Sequence, residues 1–516
     1  MRENKSYANN YLIGIDVGTS TTKISIIDIK GNLKYSNARE YKINYIPNGL
    51  VQQNPDDWYE SLIYLLRDSL SQLDLEKNKV MAIGISSQSN TLVSVNKNGD
   101  VLYPAILYLD KRAIDICNSF KDAEEGKRIY ELGGTTLKPS YTALQILWVK
   151  ENKPDIYNKT YKFLTANGYI IQKLTGVFSQ DITQTGMTGI FDREKNDWSD
   201  ELIDVFAIDK NKLPKIYNSS DIIGRTNKEF SKSTKLFDGI PVIAGSLDVA
   251  SSMLGAGCID KGSSFIEMGS VINLAVLTGK QISDKNFQTY PSAIPGLYII
   301  AGSVDGAGNS IKWFLDNIFR GYKENEELYS NESAFNMLNK ELESTGVGAD
   351  NLLFLPYMAG MRTPISNLMS KGAFLGLKLS TRKIDIYRSI MEGCSYGLKY
   401  NLDIMLDRGI NVRNNSIISG GGSRNKFWVD IMSNILNIKI KHSLYNNGAS
   451  IGSAILSGIG CGVFESFKEA KEKVCKYDYI FSPVKNLTKR YEKFYYSFRD
   501  FIKKILKDLD HLENID

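Results

Sequence analysis

Two short apolar runs separated by a polar, hydroxyl-rich turn open the patterned part of the chain. Tyr11 to Ile15 is apolar, Asp16 ends the run, Val17-Gly18-Thr19-Ser20 reads as a tight turn, and Ile24 to Ile27 is a second strand. The pattern returns past the middle of the chain, where Phe265 to Met268, Gly269-Ser270 and Val271 to Leu277 repeat strand, turn and strand. Two halves that each open on such a hairpin predict a duplicated α/β domain, with a cleft between them to hold a nucleotide from both sides. Either hairpin alone would be unremarkable.

The remaining pattern fills in both halves. A helix is expected over Trp58 to Leu75, a buried strand over Val80 to Ile85, then a polar turn Ser86 to Asn90 and two strands flanking residues 96–100. Residues 110–170 read as mainly helical. Pro241 to Ala244 is a strand that runs into Gly245-Ser246-Leu247-Asp248 and a helix of small residues, Val249 to Leu254. In the second half a strand at Leu297 to Ala301 meets a Gly-rich turn, Gly302 to Gly308, that leads into a helix through Trp313. A strand and irregular loop follow over 354–364, and one long helix over 380–408. Ser416 to Ile418 is a strand before Ser419-Gly420-Gly421-Gly422-Ser423 and a helix from Asn425 to Leu436. Leu487 to Leu509 reads as a basic amphipathic helix packed on the second domain. The expected domains are residues 1–257, 258–483 and a C-terminal helical segment, 484–516.

Composition narrows the class. A chain of 516 residues has room for two or more domains with substantial cores. Hydrophobic residues at 42% and charged residues at 23% describe a soluble globular protein. The net charge of +5 is small and spread along the chain, which argues against a nucleic-acid or membrane partner. The five cysteines form no CxxC pair and read as reduced thiols. With only His442 and His511, a His-based metal site or a Ser-His-Asp triad is not expected. No signal-peptide pattern and no run of membrane-spanning length is visible, so the expected location is the cytoplasm.

Candidate chemistry sits at the strand ends. Asp16 beside a glycine turn suits Mg²⁺-nucleotide phosphates: the carboxylate can hold the metal directly or through water, and Gly18 lets backbone N–H groups approach phosphate oxygens. Thr19, Ser20, Thr22 and Lys23 are the other phosphate-side candidates; an ordinary hairpin with a polar turn would look the same. Asp248, just after a buried strand and at a helix start, is the catalytic candidate, because an ionised carboxylate there can accept a proton from an attacking hydroxyl. Helix capping is its other reading. Gly421 and Gly422, between a strand and a helix, suit a nucleotide loop. Asp110 and Arg112 offer sugar hydroxyls an acceptor and a forked donor, or form a surface ion pair. Gln88 and Ser89 are further polyol-binding candidates, and Asn167 a weaker one. The absence of GxxxxGK[ST] excludes a Walker-type ATPase, and the absence of GxGxxG in a βαβ opening disfavours a dinucleotide oxidoreductase.

In order, the motifs IDVGTSTTK, PAILYLDKRA, AGSLDVASSMLGAG, FLPYMAGMRTP, ISGGGSRNKFWVDIMSNILN and GASIGSAIL resemble the FGGY carbohydrate kinases, over residues 11 to 480 and nearest to the xylulokinase branch. The resemblance implies two actin-like (ribonuclease H-like) domains with an ATP/sugar cleft between them. It also implies ATP with Mg²⁺ and phosphorylation of a sugar or polyol hydroxyl. By position, Asp248 matches the family's general base and Asp16 its Mg²⁺-associated aspartate. Gly18, Thr19 and Thr22 fall near the phosphates, Gly269 and Ser270 in the second phosphate turn with Gly306 in the glycine-rich turn beyond it. Gly421, Gly422 and Asn425 fall in the adenosine region, and Asp110 where xylulokinase-like members hold the sugar.

Some positions depart from the family pattern. Gln88-Ser89-Asn90-Thr91 stands where xylulokinases commonly carry Gln-Met-His-Gly, Tyr108 replaces a tryptophan, Met361 an acidic residue, and Val271 follows Gly269-Ser270. The expected activity is phosphorylation of D-xylulose to D-xylulose 5-phosphate. Gluconate, with Arg112 or Lys111 near its carboxylate, ribulose or another small polyol are the alternatives. An actin-like ATP-binding assembly or regulatory protein, or a degenerate kinase kept as a sugar sensor, are the readings from other classes. A homodimer is left as an open expectation.

Overall fold

The computed structural model describes residues 10–73, 80–121, 123–319, 331–367 and 370–509. By its contacts the chain forms two units. The first takes in the chain up to Ile259 together with Leu277–Ile300 and Asn447–Lys476; the second takes in Asp260–Val276, Ala301–Asn446 and the chain from Tyr477.

The first unit is built on a mixed sheet. Its strands are β1 (Tyr11–Val17), β2 (Thr21–Asp28), β3 (Leu33–Glu40), β4 (Val80–Ser87), β5 (Ile222–Arg225), β6 (Pro241–Ile243) and the short β7 (Ser246–Leu247). The order is β5-β6-β4-β1-β2-β3, with β7 also paired to β4. β1, β6 and β7 all run parallel to β4, whereas β1-β2-β3 is an antiparallel meander.

The two faces of this sheet differ because side chains alternate along a strand. Ile13, Ile15, Val17, Ile83 and Ile85 form one face with Trp58, Leu62, Leu65 and Leu66 of helix α1 (Pro55–Leu73). Each fully buried apolar side chain of this size contributes about 1.5–3 kcal/mol. On the other face the register sets Ser25, Gly14 and Gly84 in one row across β2, β1 and β4. A row with almost no side chains is a flat seat for a helix backbone. Two more helices complete this side: α2 (Asp248–Gly255), and one from late in the chain, Gly448–Gly460 (the GASIGSAIL segment). A Cβ on Gly14 would lie 1.8 Å from Ser450 O, and one on Gly84 2.0 Å from Ser453 O. The Gly448–Gly460 helix also meets α2 closely, since a Cβ on Gly452 would lie 1.9 Å from Ser251 O. Residues 447–476, expected in the second domain, are therefore part of the first unit, where the missing side chains at Gly14, Gly84 and Gly452 allow the close approach.

A second sheet, most of it in the second unit, has β8 (Ser264–Met268), β9 (Ile272–Thr278), β10 (Tyr298–Val304), β11 (Asn415–Ser419), β12 (Lys439–Ser443) and β13 (Tyr477–Phe481), in the order β10-β9-β8-β11-β12-β13. β8 and β9 form the expected hairpin, and β8 runs parallel to β11 and β11 to β12. The helices of the second unit include α3 (Ala307–Asn317), α4 (Lys383–Asp407), α5 (Lys426–Leu436) and α6 (Lys485–Leu509).

Several element expectations need adjustment. β10 continues to Val304, so the turn before α3 is shorter than Gly302 to Gly308. Beyond residues 96–100, Val101 makes only a single bridge to Val95. The end expected for the first helix, Leu75, and residues 510–516 lie outside the described residues. Among the described residues, no helix is long and apolar enough to cross a membrane, and the five cysteines form no disulfide.

Candidate active site

Strand register brings the two candidate carboxylates of the first unit to one sheet edge. Asp16 on β1 is opposite Ser86 on β4, and Ser86 is opposite Ser246 on β7. Asp248 follows two residues later, as the first residue of α2, with its Oδ1 accepting from Val249 N at 2.7 Å. Gly245 makes the bend before β7 possible: its φ is +79°, and a Cβ there would lie 1.9 Å from Ile85 O. Parallel strands end their carbonyl edge together, which is where open α/β sheets collect ligands.

Asp16 is buried and accepts from Ser86 Oγ at 2.9 Å. Burial raises its pKa, while the charge of Lys23, its register partner on β2, and the Ser86 hydroxyl oppose that rise. The adjacent turn is held from both sides. Gly18 N donates to Thr21 O at 3.0 Å, Tyr41 OH donates to Gly18 O, and Gln53 Nε2 donates to Thr19 O at 2.7 Å. Gly18, Thr19 and Lys23 are half-buried, Ser20 is exposed, and Thr22 is wholly buried.

Around the 87–90 turn the structure gathers carboxamides. Gln88 Nε2 donates to Gln53 Oε1 at 3.3 Å. Gln184 Nε2 donates to Ser87 O and Gln88 O, and Gln145 Nε2 donates to Asn90 O and Leu107 O. With their NH₂ groups committed to carbonyl oxygens, the opposite atoms are acceptors. Gln88 Oε1, Asn90 Oδ1, Gln145 Oε1 and Gln184 Oε1 are all buried without a hydrogen-bond partner. Ser89 is half-buried in the same turn. Sequence reading singled out Gln88 and Ser89 but not Gln145 or Gln184, which lie on helices far along the chain. Gln145 carries the local signal of an amide among apolar neighbours, and Gln184 none.

Asp110 and Arg112 are joined to each other. Arg112 Nε and Nη2 each meet an Asp110 oxygen at 2.8 Å, and both residues are buried. Arg112 N and Val51 N also donate to the Asp110 carboxylate, so four donors fill its lone pairs. The guanidinium lies 4.6 Å from the Trp148 ring centroid.

A second buried carboxylate supports the loop that ends in Asp248. Asp181 accepts from Thr183 N, Gln184 N, Thr183 Oγ1 and Asn167 Nδ2, and Thr183 Oγ1 accepts from Leu247 N at 2.7 Å. Burial pushes its carboxyl up to about 6, against those four donors. Because the folded form holds its proton to higher pH than the unfolded chain, this group favours folding below about pH 4 and loses that contribution as pH rises through about 6. Unfolding free energy is expected to fall over that interval, and Asp181→Asn to flatten the fall in urea titrations across a pH series. An unchanged slope would refute this.

In the second unit three glycine-bearing turns meet at the end of β8. Gly269 and Ser270 are exposed, and Ser270 O accepts from Gly308 N at 3.1 Å. A Cβ on Gly308 would lie 2.1 Å from Gly269 O, and one on Gly420 2.6 Å from Met268 O. Gly306 is buried and its carbonyl accepts from Ser310 N. Gly421 is exposed with nothing within 4 Å of a Cβ position, and Gly422 lies against Met268. Asn425 caps α5 by accepting from Trp428 N at 3.2 Å, and its Nδ2 donates to Asn339 Oδ1.

Models of the FGGY family of carbohydrate kinases match the chain twice, the N-terminal domain over residues 11–255 and the C-terminal domain over 273–461. A xylulose kinase from Staphylococcus epidermidis is 30% identical over 501 residues, 96% of this chain and 97% of its own. One from Lactococcus lactis is 28% identical over 496 residues, 96% of each chain. A ligand-bound xylulose kinase structure from Lactobacillus acidophilus aligns with a TM-score of 0.87 at 23% identity, covering 96% of this chain and 98% of that one, a likeness of fold. The chain belongs to the FGGY family of carbohydrate kinases. It is accordingly an ATP-dependent sugar kinase with two α/β domains of the actin/ribonuclease H-like type.

Proposed function

We propose that this kinase phosphorylates a neutral ketopentose, D-xylulose first among them, with Asp248 as general base. The observation that carries the reading is the row Asp16–Ser86–Ser246, in which Asp16 and the strand leading into Asp248 flank β4 on either side at the same end of the sheet. Asp248 accepts the proton of the sugar hydroxyl as that oxygen attacks the γ-phosphorus, the P–O bond to ADP breaks, and ADP leaves. The Gly18–Ser20 turn and Lys23 face the phosphates. Gly269, Ser270 and Gly306 belong to the phosphate side of the second unit, and Gly421, Gly422 and Asn425 to its adenosine side.

Asp16 fits Mg²⁺: it is a buried carboxylate whose ionisation burial opposes, so a nearby cation would restore its charge. Among the described residues no group of three or more metal-ligating side chains exists, which suits an ion carried by phosphates and one carboxylate. When bound, Mg²⁺ neutralises charge on the transferring phosphate.

The four unpartnered amide oxygens favour a ligand rich in hydroxyl donors. They offer nothing to the carboxylate end of an aldonate, and the Arg112 guanidinium that a carboxylate would need is engaged with Asp110. Asp110 and Arg112 therefore shape the sugar side by holding Val51 N and Trp148. ADP release with Mg²⁺-ATP across D-xylulose, L-xylulose, D-ribulose, L-ribulose, D-gluconate, glycerol and erythritol tests the assignment. The highest kcat/KM is expected with a ketopentose; gluconate in first place would overturn the substrate reading.

A further inference from the structure

We propose that Ser423, His442 and Asp478 are positioning residues that hold the glycine loop of the second unit in the shape that receives adenosine. The inference rests on the reading that Gly421 and Gly422 lie on the adenosine side.

Ser423, His442 and Asp478 form a chain of polar contacts. Ser423 Oγ is 2.9 Å from His442 Nε2, and His442 Nδ1 is 2.6 Å from Asp478 Oδ1. Ser423 is 2% exposed and His442 7%, so the hydroxyl is shielded from any external substrate and the arrangement is no nucleophilic site. It links three separate segments instead. Ser423 lies in the turn Gly421–Arg424, His442 on β12 and Asp478 on β13, the last two strands being paired.

The single Ser423 hydroxyl hydrogen is donated to Gly420 O, so it is the oxygen's lone pairs that face His442 Nε2. The same Ser423 Oγ lies 2.6 Å from Gly420 O, so one side chain ties the end of the loop to its beginning and to the sheet. Gly420 has φ +99° and rests on Met268, so the loop has a floor on one side and the Ser423 link on the other. Between them Gly421 points into open space. A second tie runs from the same strand: the Lys426 ammonium, at the first residue of α5, is 3.5 Å from the Tyr479 ring centroid. Without the relay the loop would lose its preformed shape, and nucleotide binding would have to supply the ordering.

The test uses the full chain with Ser423→Ala, His442→Ala and the milder Asp478→Asn. Steady-state kinetics, ADP titration calorimetry and thermal unfolding are read together. Each variant is expected to raise KM for ATP and Kd for ADP about tenfold with KM for the sugar unchanged, the size of one lost hydrogen bond. Asp478→Glu is expected to restore ATP KM towards the wild-type value. A fall in Tm with no separate movement of the ATP constants would mean a purely structural role and overturn the proposal. Gly421→Val separates the two layers of the argument. If it leaves ADP affinity unchanged, the adenosine reading fails; if it abolishes ADP binding while the three relay variants bind normally, the positioning proposal alone fails.

Discussion

Asp248→Asn is expected to lower kcat about a thousandfold with the protein still folded. The loss is confined to chemistry because asparagine keeps the shape of aspartate and its Oδ1 can still accept from Val249 N. What disappears is a group able to take the proton from an attacking hydroxyl. The loop itself is held by other atoms: Leu247 N donates to Thr183 Oγ1, and Gly245 N to Ser219 O. Thermal unfolding should therefore match wild type, and KM for the sugar should move far less than kcat. A kcat within tenfold of wild type would remove Asp248 from the role of general base.

Gly14→Ala is expected to destabilise the first unit by about 4 kcal/mol, although it adds only one methyl group. That methyl would sit 1.8 Å from Ser450 O and 2.5 Å from Ala454 N, both backbone atoms of the Gly448–Gly460 helix. Neither can rotate away as a flexible side chain would. The helix must lift, which also strains its seat over Gly84 and its contact with α2. For a unit of this size the cost corresponds to a Tm lowered by roughly 6 °C. Gly133→Ala is the control, since nothing lies within 4 Å of its Cβ position. A Tm for Gly14→Ala within the spread of that control would refute the seat.

Much of the fold was legible because local chemistry wrote it. The two strand–turn–strand openings, the glycine loop before α5 and the helix start at Asp248 all depend on near neighbours in sequence. The candidates Asp16, Asp248 and Gly421 followed from the same local signals, and the ordered motifs pointed to the FGGY family. Other features depend on residues brought together from distant parts of the chain. Gly14, Gly84 and Ser25 look like gaps in three strands until their register makes one row, and only then does Gly448–Gly460 have a place to lie. Asp110 and Arg112 looked available to a sugar until folding brought Val51 N and Trp148 to them. Gln145 and Gln184 became acceptors only when their NH₂ groups met carbonyls of the 87–90 turn and Leu107. The Ser423–His442–Asp478 chain was invisible because its members lie on three segments with no spacing rule between them. Sequence alone determined the strands, turns and carboxylates, whose causes act over a few residues. The tertiary structure decided which polar atoms were already satisfied and which were left without a protein partner, because that depends on partners that only the fold supplies.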